Sequence, residues 1–207
     1  METDDEQVEK LKKWWQENGK AVIAGIIIGV GGLGGYRWYD DHIDSRAESA
    51  SSHFELMVKA IDANETEKAR DQAELLVADY DESDYGVMGH FTLAKLWIED
   101  GNFVGASEEL KVVVGKMSSK PLGYLARQRL AQVQIEMKDL DKALSTLSAD
   151  FPNSYHAAVE ELRGDIYSLK GQADEAAEAY QRAQGGNPGP ANSQFLQQKI
   201  DDLGLAG

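Results

Sequence analysis

Two small residues stand twelve positions apart at three places in this chain: Ala94 with Ala106, Ala131 with Ala143, and Gly164 with Ala176. Successive pairs are offset by 37 and then 33 residues. Self-similarity on this scale marks a stack of supersecondary units, none of which buries its apolar face alone. Two antiparallel helices that cross closely need a small side chain on each at the crossing. Trp97, Leu110, Tyr167 and Tyr180, about one turn away, are large enough to fill the space between neighbouring units. Gly101 and Gly171 fall in the connection between the two helices, where a left-handed residue or a tight turn is needed. The second unit has Lys138 at that place, and its Pro152 comes early, so a shorter second helix is expected there.

These offsets bracket the 34-residue tetratricopeptide period. The third unit shows the pattern most fully, with Gly164, Tyr167, Gly171, Ala176, Tyr180, Ala183 and Pro188 in order. Units are placed at about 87–119, 124–152 and 157–188. A degenerate leading helix pair is expected over 43–80, with Phe54, Met57, Val58 and Ile61 on one stripe and a break at Asn64. A capping helix over 191–203 carries Phe195, Leu196 and Ile200. It comes after a hinge at 185–190, and a stacked array needs such ends closed.

Ahead of the repeats lies the run GIIIGVGGLGG, residues 25–35. Its letters satisfy the dinucleotide-binding fingerprint. That reading also needs alternating strands and helices, with an acid about twenty residues on at the end of a second strand. The stretch after Tyr39 is helical in pattern, and the fingerprint is set aside. A membrane span fits better. Ala21 to Tyr36 is sixteen residues without a charge, slightly short of the ~20 a span prefers. Trp14, Trp15 and Lys20 before it, and Tyr36, Arg37, Trp38 and Tyr39 after it, are expected as interface anchors that extend it. Gly25 with Gly29 and Gly31 with Gly35 are G-x-x-x-G pairs, which leave a groove for another helix. The alternative is that these glycines reflect only the tolerance of membrane helices for glycine. A cleaved signal peptide is disfavoured by the long, acidic preceding region and the lack of a small-residue cleavage site. Four lysines before the run against Arg37 and Arg46 after it predict a cytoplasmic N-terminus. The expected fold class is therefore all-α: a short cytoplasmic tail (1–20), a single N-terminal transmembrane helix (21–39), and a tetratricopeptide-like helical-repeat solenoid (40–207).

The formal net charge of -15 excludes a basic face for nucleic acid. Cysteine is absent, which removes disulfides, thiolate metal ligands and thiol nucleophiles. None of His42, His53, His90 and His156 has a ligand-like partner at i+3 or i+4 on a plausible metal face, and no G-x-S-x-G, H-E-x-x-H or P-loop occurs. The acidic stretch Asp79 to Asp84 reads most simply as a solvated loop, and it lacks the glycine spacing of an EF-hand. No cofactor, metal, small-molecule substrate or catalysis is expected, so function should lie in a surface.

In a helix-pair solenoid that surface is the concave face, lined mainly by each unit's first helix. Counting from the unit starts, the inward positions are Met88, Phe91, Lys95 and Ile98; Leu125, Gln128, Gln132 and Ile135; and Ala158, Glu161, Asp165 and Leu169. Such a face is apolar at one end and acidic at the other. Met, Phe and Ile suit extended or unfolded chains, because flexible apolar side chains tolerate varied partners. The competing expectation is that most of these apolar residues are buried between units.

The chain also resembles a known family along nearly its whole length. The resemblance rests on WWQENGK at 14–20 and GYRWY at 35–39, then on SRAESAS at 45–51 and Tyr85-Gly86. It continues through LAQVQ at 130–134, LRGD at 162–165 with Lys170-Gly171, and KIDDL at 199–203. In this order they are similar to the ancillary subunits of the SecYEG translocon. That resemblance implies a single-pass inner-membrane protein with a periplasmic tetratricopeptide-like domain. It implies, as partners, the SecYEG channel, a membrane-anchored periplasmic chaperone of prolyl-isomerase-like type, and emerging or unfolded envelope proteins. The other reading is a membrane-anchored scaffold in envelope assembly or stress signalling. It would bind one folded partner, with the N-terminal tail restraining a cytoplasmic regulator.

Overall fold

The computed structural model describes residues 4–186 and 190–204. In the first helix the side chains of residues 4–7, 11, 21, 22, 26, 27, 31 and 33–44 lie outside that description, as do those of 190 and 191. Among the described residues there are nine α-helices, one short 3-10 turn and no strand. They are α1 (Asp4–Asp62), α2 (Thr66–Tyr80), α3 (Asp84–Glu99), α4 (Phe103–Lys116), α5 (Pro121–Glu136), α6 (Leu140–Leu147), α7 (His156–Leu169), α8 (Ala173–Gly185) and α9 (Pro190–Asp201). The chain divides into two units, Met1–Ser49 and Ala50–Gly207.

The first unit is helical throughout its described residues. Trp14 and Trp15 are half exposed, with ring centroids 6.4 Å apart. Asn18 donates from Nδ2 to the Trp14 carbonyl at 3.0 Å. Ile28 and Val30 are 74% and 67% exposed. A Cβ added at Gly25 or Gly29 would meet nothing within 4 Å. Among the described residues no helix is long and apolar enough to cross a membrane. The span expected over 21–39 falls largely on residues whose side chains lie outside that description. Gly31, Gly35, Tyr36, Arg37, Trp38 and Tyr39, expected as packing and anchor residues, lie outside the described side chains.

In the second unit each helix from α2 onward packs on the next in the chain. The same hydrogen-bonded turn joins the helices of every pair. Gly101 N–H donates to the Ile98 carbonyl at 3.0 Å and Asn102 N–H to Trp97 at 2.7 Å. Lys138 with Asp139, and Gly171 with Gln172, repeat both bonds, as do Asn64 with Glu65 at the end of α1. Asn64, Lys138, Gly101 and Gly171 all have positive φ, between 57° and 74°. This is a helix C-terminus closed by a left-handed residue, a position glycine fills without strain. The spacing of the four turns is 37, 37 and 33, so the leading pair keeps the register of the repeats.

The small residues meet in the core. Ala69, Ala106, Ala143 and Ala176 share that spacing, and all are at most 1% exposed. Gly164 is forced by its neighbour, since a Cβ there would lie 2.3 Å from the Tyr180 ring. Two further glycines come from the same logic. A Cβ at Gly86 or Gly123 would lie 2.4 or 1.8 Å from the carbonyl oxygen of Tyr80 or Met117, so the entering helix passes directly over the end of the one before.

The core is continuous along the stack. Met57, Ala73, Leu76 and Leu93 close the leading pair onto α3. Leu110, Val113, Ala126 and Leu130 join α3, α4 and α5, and Leu147, Val159 and Ile166 join α5, α6 and α7. Leu196 of α9 is fully buried against Ala176, Tyr180 and Ala183 of α8. The first helices of the three units begin at 84, 121 and 156, up to three residues ahead of the starts counted from sequence. α6 has only eight residues. After it, Phe151 and Tyr155 cluster with Tyr124 of α5, with ring centroids 5.3 to 6.4 Å apart. Residues 187–189, including Pro188 of the hinge, lie outside the described residues.

Candidate functional site

α3, α5 and α7 each turn one face toward a shared groove with two adjoining cavities. The cavity between α3 and α5 is about 490 Å³ and is lined by Met88, Phe91, Lys95, Ile98, Leu122 and Leu125, among others. The cavity between α5 and α7 is about 580 Å³, lined by Ile98, Gln132, Ile135, Leu162, Asp165 and Leu169, among others. Ile98 and Arg129 belong to both. Nine of the twelve inward positions expected from sequence therefore line one cavity or the other, and Gln128, Ala158 and Glu161 line neither. Gln128 is half-buried, and its Nε2 has no hydrogen-bond partner within the protein.

The apolar members stay reachable. Met88, Phe91 and Ile135 are partly buried, and Ile98, Leu125 and Leu169 are exposed, Leu169 to 53%. Phe91 and Ile135 also pack against the buried core clusters, in the direction of the competing expectation of burial between units.

The acidic end carries a cation that the sequence count did not place there. Lys199 of α9 reaches back across α7, with Nζ 2.9 Å from Glu161 and 2.7 Å from Asp165. Tyr180 donates its hydroxyl to the same Asp165 oxygen at 2.8 Å. Burial pulls the Lys199 ammonium down, but hydrogen bonds to Asp165 and Glu161 outweigh it and hold its pKa above the ordinary lysine value. Burial first, and the neighbouring Asp165 second, push the Tyr180 phenol well above the usual tyrosine range. The capping helix thus closes the core and places one ammonium between Asp165 of the groove and Glu161 beside it. Nothing short of the fold pairs a residue at 199 with residues at 161 and 165.

Counting the second unit's face as Leu125, Gln128, Gln132 and Ile135 passes over Arg129. The helix also brings the i+4 position to that face, and here it is residue 129, not 128, that looks into the groove.

The acidic stretch after α2 is not merely solvated. His90 is only 5% exposed, and its ring nitrogens face two carboxylates: Nδ1 lies 2.6 Å from Glu109 and Nε2 lies 2.8 Å from Asp81. Lys116 adds Nζ contacts to Asp81 at 2.8 Å and Glu82 at 3.0 Å. Burial draws the imidazole pKa down, but the hydrogen bonds to Glu109 and then Asp81 win, and it lies above its ordinary value. Hydrogen bonds from Lys116 and then His90 hold the Asp81 carboxyl below the usual range. The cluster ties the α2–α3 turn to α4. Among the described residues no group of His, Asp and Glu is arranged to hold a metal ion.

Comparison with known proteins agrees with this architecture. A family model described as a tetratricopeptide repeat-like domain matches residues 12–205. The chain is 31% identical over 204 residues to an ancillary SecYEG translocon subunit of Escherichia coli (strain K12), covering 99% of this chain and 98% of that one. It is 29% identical over 181 residues to the protein of the same name from Haemophilus influenzae, covering 87% and 88%. Among solved structures, a crystal structure of MamA protein superposes with a TM-score of 0.62 at 20% identity, covering 74% of this chain and 80% of that one. At that identity the likeness concerns the fold.

Proposed function

We propose a function from a premise that is itself a finding: this chain belongs to the ancillary SecYEG translocon subunit family, whose domain is tetratricopeptide repeat-like. The protein acts as a translocon-associated adaptor that receives extended secretory or envelope chains in the groove of α3, α5 and α7. The observation that carries this reading is the lining: six large apolar side chains along one face, none of them fully buried. A groove of this composition holds varied apolar segments weakly, because Met, Leu and Ile repack around different partners. Catalysis has no part in this reading.

In the same proposal the N-terminal segment holds the protein in the inner membrane, with the tail cytoplasmic and the repeat domain periplasmic. Support comes from exposed Trp14, Trp15, Ile23, Ile28 and Val30, a density of bare apolar side chains that water rarely tolerates. The run is short and glycine-rich, so anchoring depends on Lys20 and Arg37 snorkelling and on local thinning of the bilayer. The channel is then one partner and a membrane-anchored periplasmic chaperone of prolyl-isomerase-like type another, with emerging chains passing between them.

Promiscuity tests the groove. The full-length protein in lipid nanodiscs is expected to bind several unrelated unfolded envelope proteins at micromolar strength. Leu125→Asp is expected to weaken all of them together. Tight binding of a single folded partner, with unfolded chains ignored, would instead mean a dedicated scaffold.

A further inference from the structure

Arg129 stands where the two cavities meet and lines both. Among the described residues its guanidinium makes one contact, a 3.4 Å hydrogen bond from Nη1 to Gln132 Oε1, and no ion pair. The other lining charges are nearly all committed. Lys95 pairs with Glu99 at 2.8 Å, and Asp165 is held by Lys199 and Tyr180. Glu136 is the exception, an exposed carboxylate in the last turn of α5 that lines only the cavity toward α7. A chain of formal net charge -15 thus keeps a cation without an ion pair where two cavities meet, the one toward α3 mainly apolar and the one toward α7 mixed.

A free guanidinium offers a planar fork that matches a carboxylate. Phe91 and Leu125 line the cavity on one side of it, and Ile135 and Leu169 the cavity on the other. In an extended chain residues i, i+2 and i+4 share a face and span ~13 Å. We propose that the groove selects extended segments carrying one Asp or Glu between two large apolar side chains, with the carboxylate on Arg129 and one apolar side chain in each cavity. The inference rests on the groove reading above and adds to it a sequence preference.

The test titrates the full-length protein in nanodiscs with three short fluorescent peptides. They share an apolar-x-X-x-apolar core and differ only in X, which is Glu, Gln or Lys. The Glu peptide is expected to bind on the order of tenfold tighter than the Gln peptide, with Lys weakest. Arg129→Gln is expected to erase the difference, Arg129→Lys to keep part of it, and Glu136→Gln to leave the preference for Glu in place. Equal binding of all three peptides by the unaltered protein overturns the preference and leaves the groove reading standing. Binding of none overturns both. A preference retained in Arg129→Gln removes Arg129 as its source, and the wild-type comparison stands whether or not that variant folds.

Discussion

At Gly164 one added methyl would meet the ring of Tyr180, which is itself buried and tied to Asp165. Gly164→Ala is therefore expected to destabilise the repeat domain by about 1–3 kcal/mol, read as a lower urea midpoint. Lys138 offers the opposite case. Its φ of 62° is one that glycine adopts freely and lysine does not. Lys138→Gly is expected to raise stability by about 1 kcal/mol, and no gain would mean that the turn is not strained. Sequence spacing made these turn positions legible, because each unit presents the same place with a different residue. It did not reveal why Gly86 and Gly123 are glycines, since the clash there is with the carbonyl of a preceding helix end. Charge at single residues was least legible of all. Neighbours one turn away say nothing of His90, whose partners come from a turn and from α4. Its folded pKa lies above the ordinary 6.5. The stability it contributes is thus present below about pH 6.5 and lost as pH rises through the folded value. The urea midpoint of wild type is expected to exceed that of His90→Gln at pH 6, with the gap narrowing toward pH 9. A gap that widens would reverse the assignment.

At the scale of elements, α9 does two things at once: Leu196 plugs the end of the core and Lys199 pairs with Glu161 and Asp165. Leu196→Ala is expected to cost about 2–5 kcal/mol. Lys199→Met should leave the core filled and return two acids to the groove's edge. Peptides bearing lysine beside the apolar core are expected to gain affinity in that variant, which a purely structural role for Lys199 does not predict. The existence of a closing helix was legible from the apolar stripe at Phe195, Leu196 and Ile200. Its electrostatic reach was not, because a contact across more than thirty residues has no local periodicity. In α1 the Gly25 and Gly29 positions are open on this chain's own side. Gly25→Leu with Gly29→Leu is expected to leave membrane association intact while reducing co-purification with channel subunits. Unchanged co-purification would remove the helix-packing role.

The whole molecule joins a long helix, with Trp14, Trp15, Ile28 and Val30 exposed, to a stack of helix pairs whose first helices share a groove. The twelve-residue spacing of Ala94/Ala106, Ala131/Ala143 and Gly164/Ala176 was enough to specify the stack, because close crossing of two helices admits few side chains. The groove was legible to the extent that helical periodicity chooses a face. It failed at residues 128 and 129, where the choice between i+3 and i+4 depends on the packing of the neighbouring pair. The central claim is that this groove meets emerging chains beside the channel. Site-specific photocrosslinking in intact cells, with probes at Gly29 and at Phe91, tests it most directly. The prediction is a channel subunit crosslinked at Gly29 and a spread of secreted chains at Phe91. One discrete product at Phe91, with no channel subunit at Gly29, would contradict it.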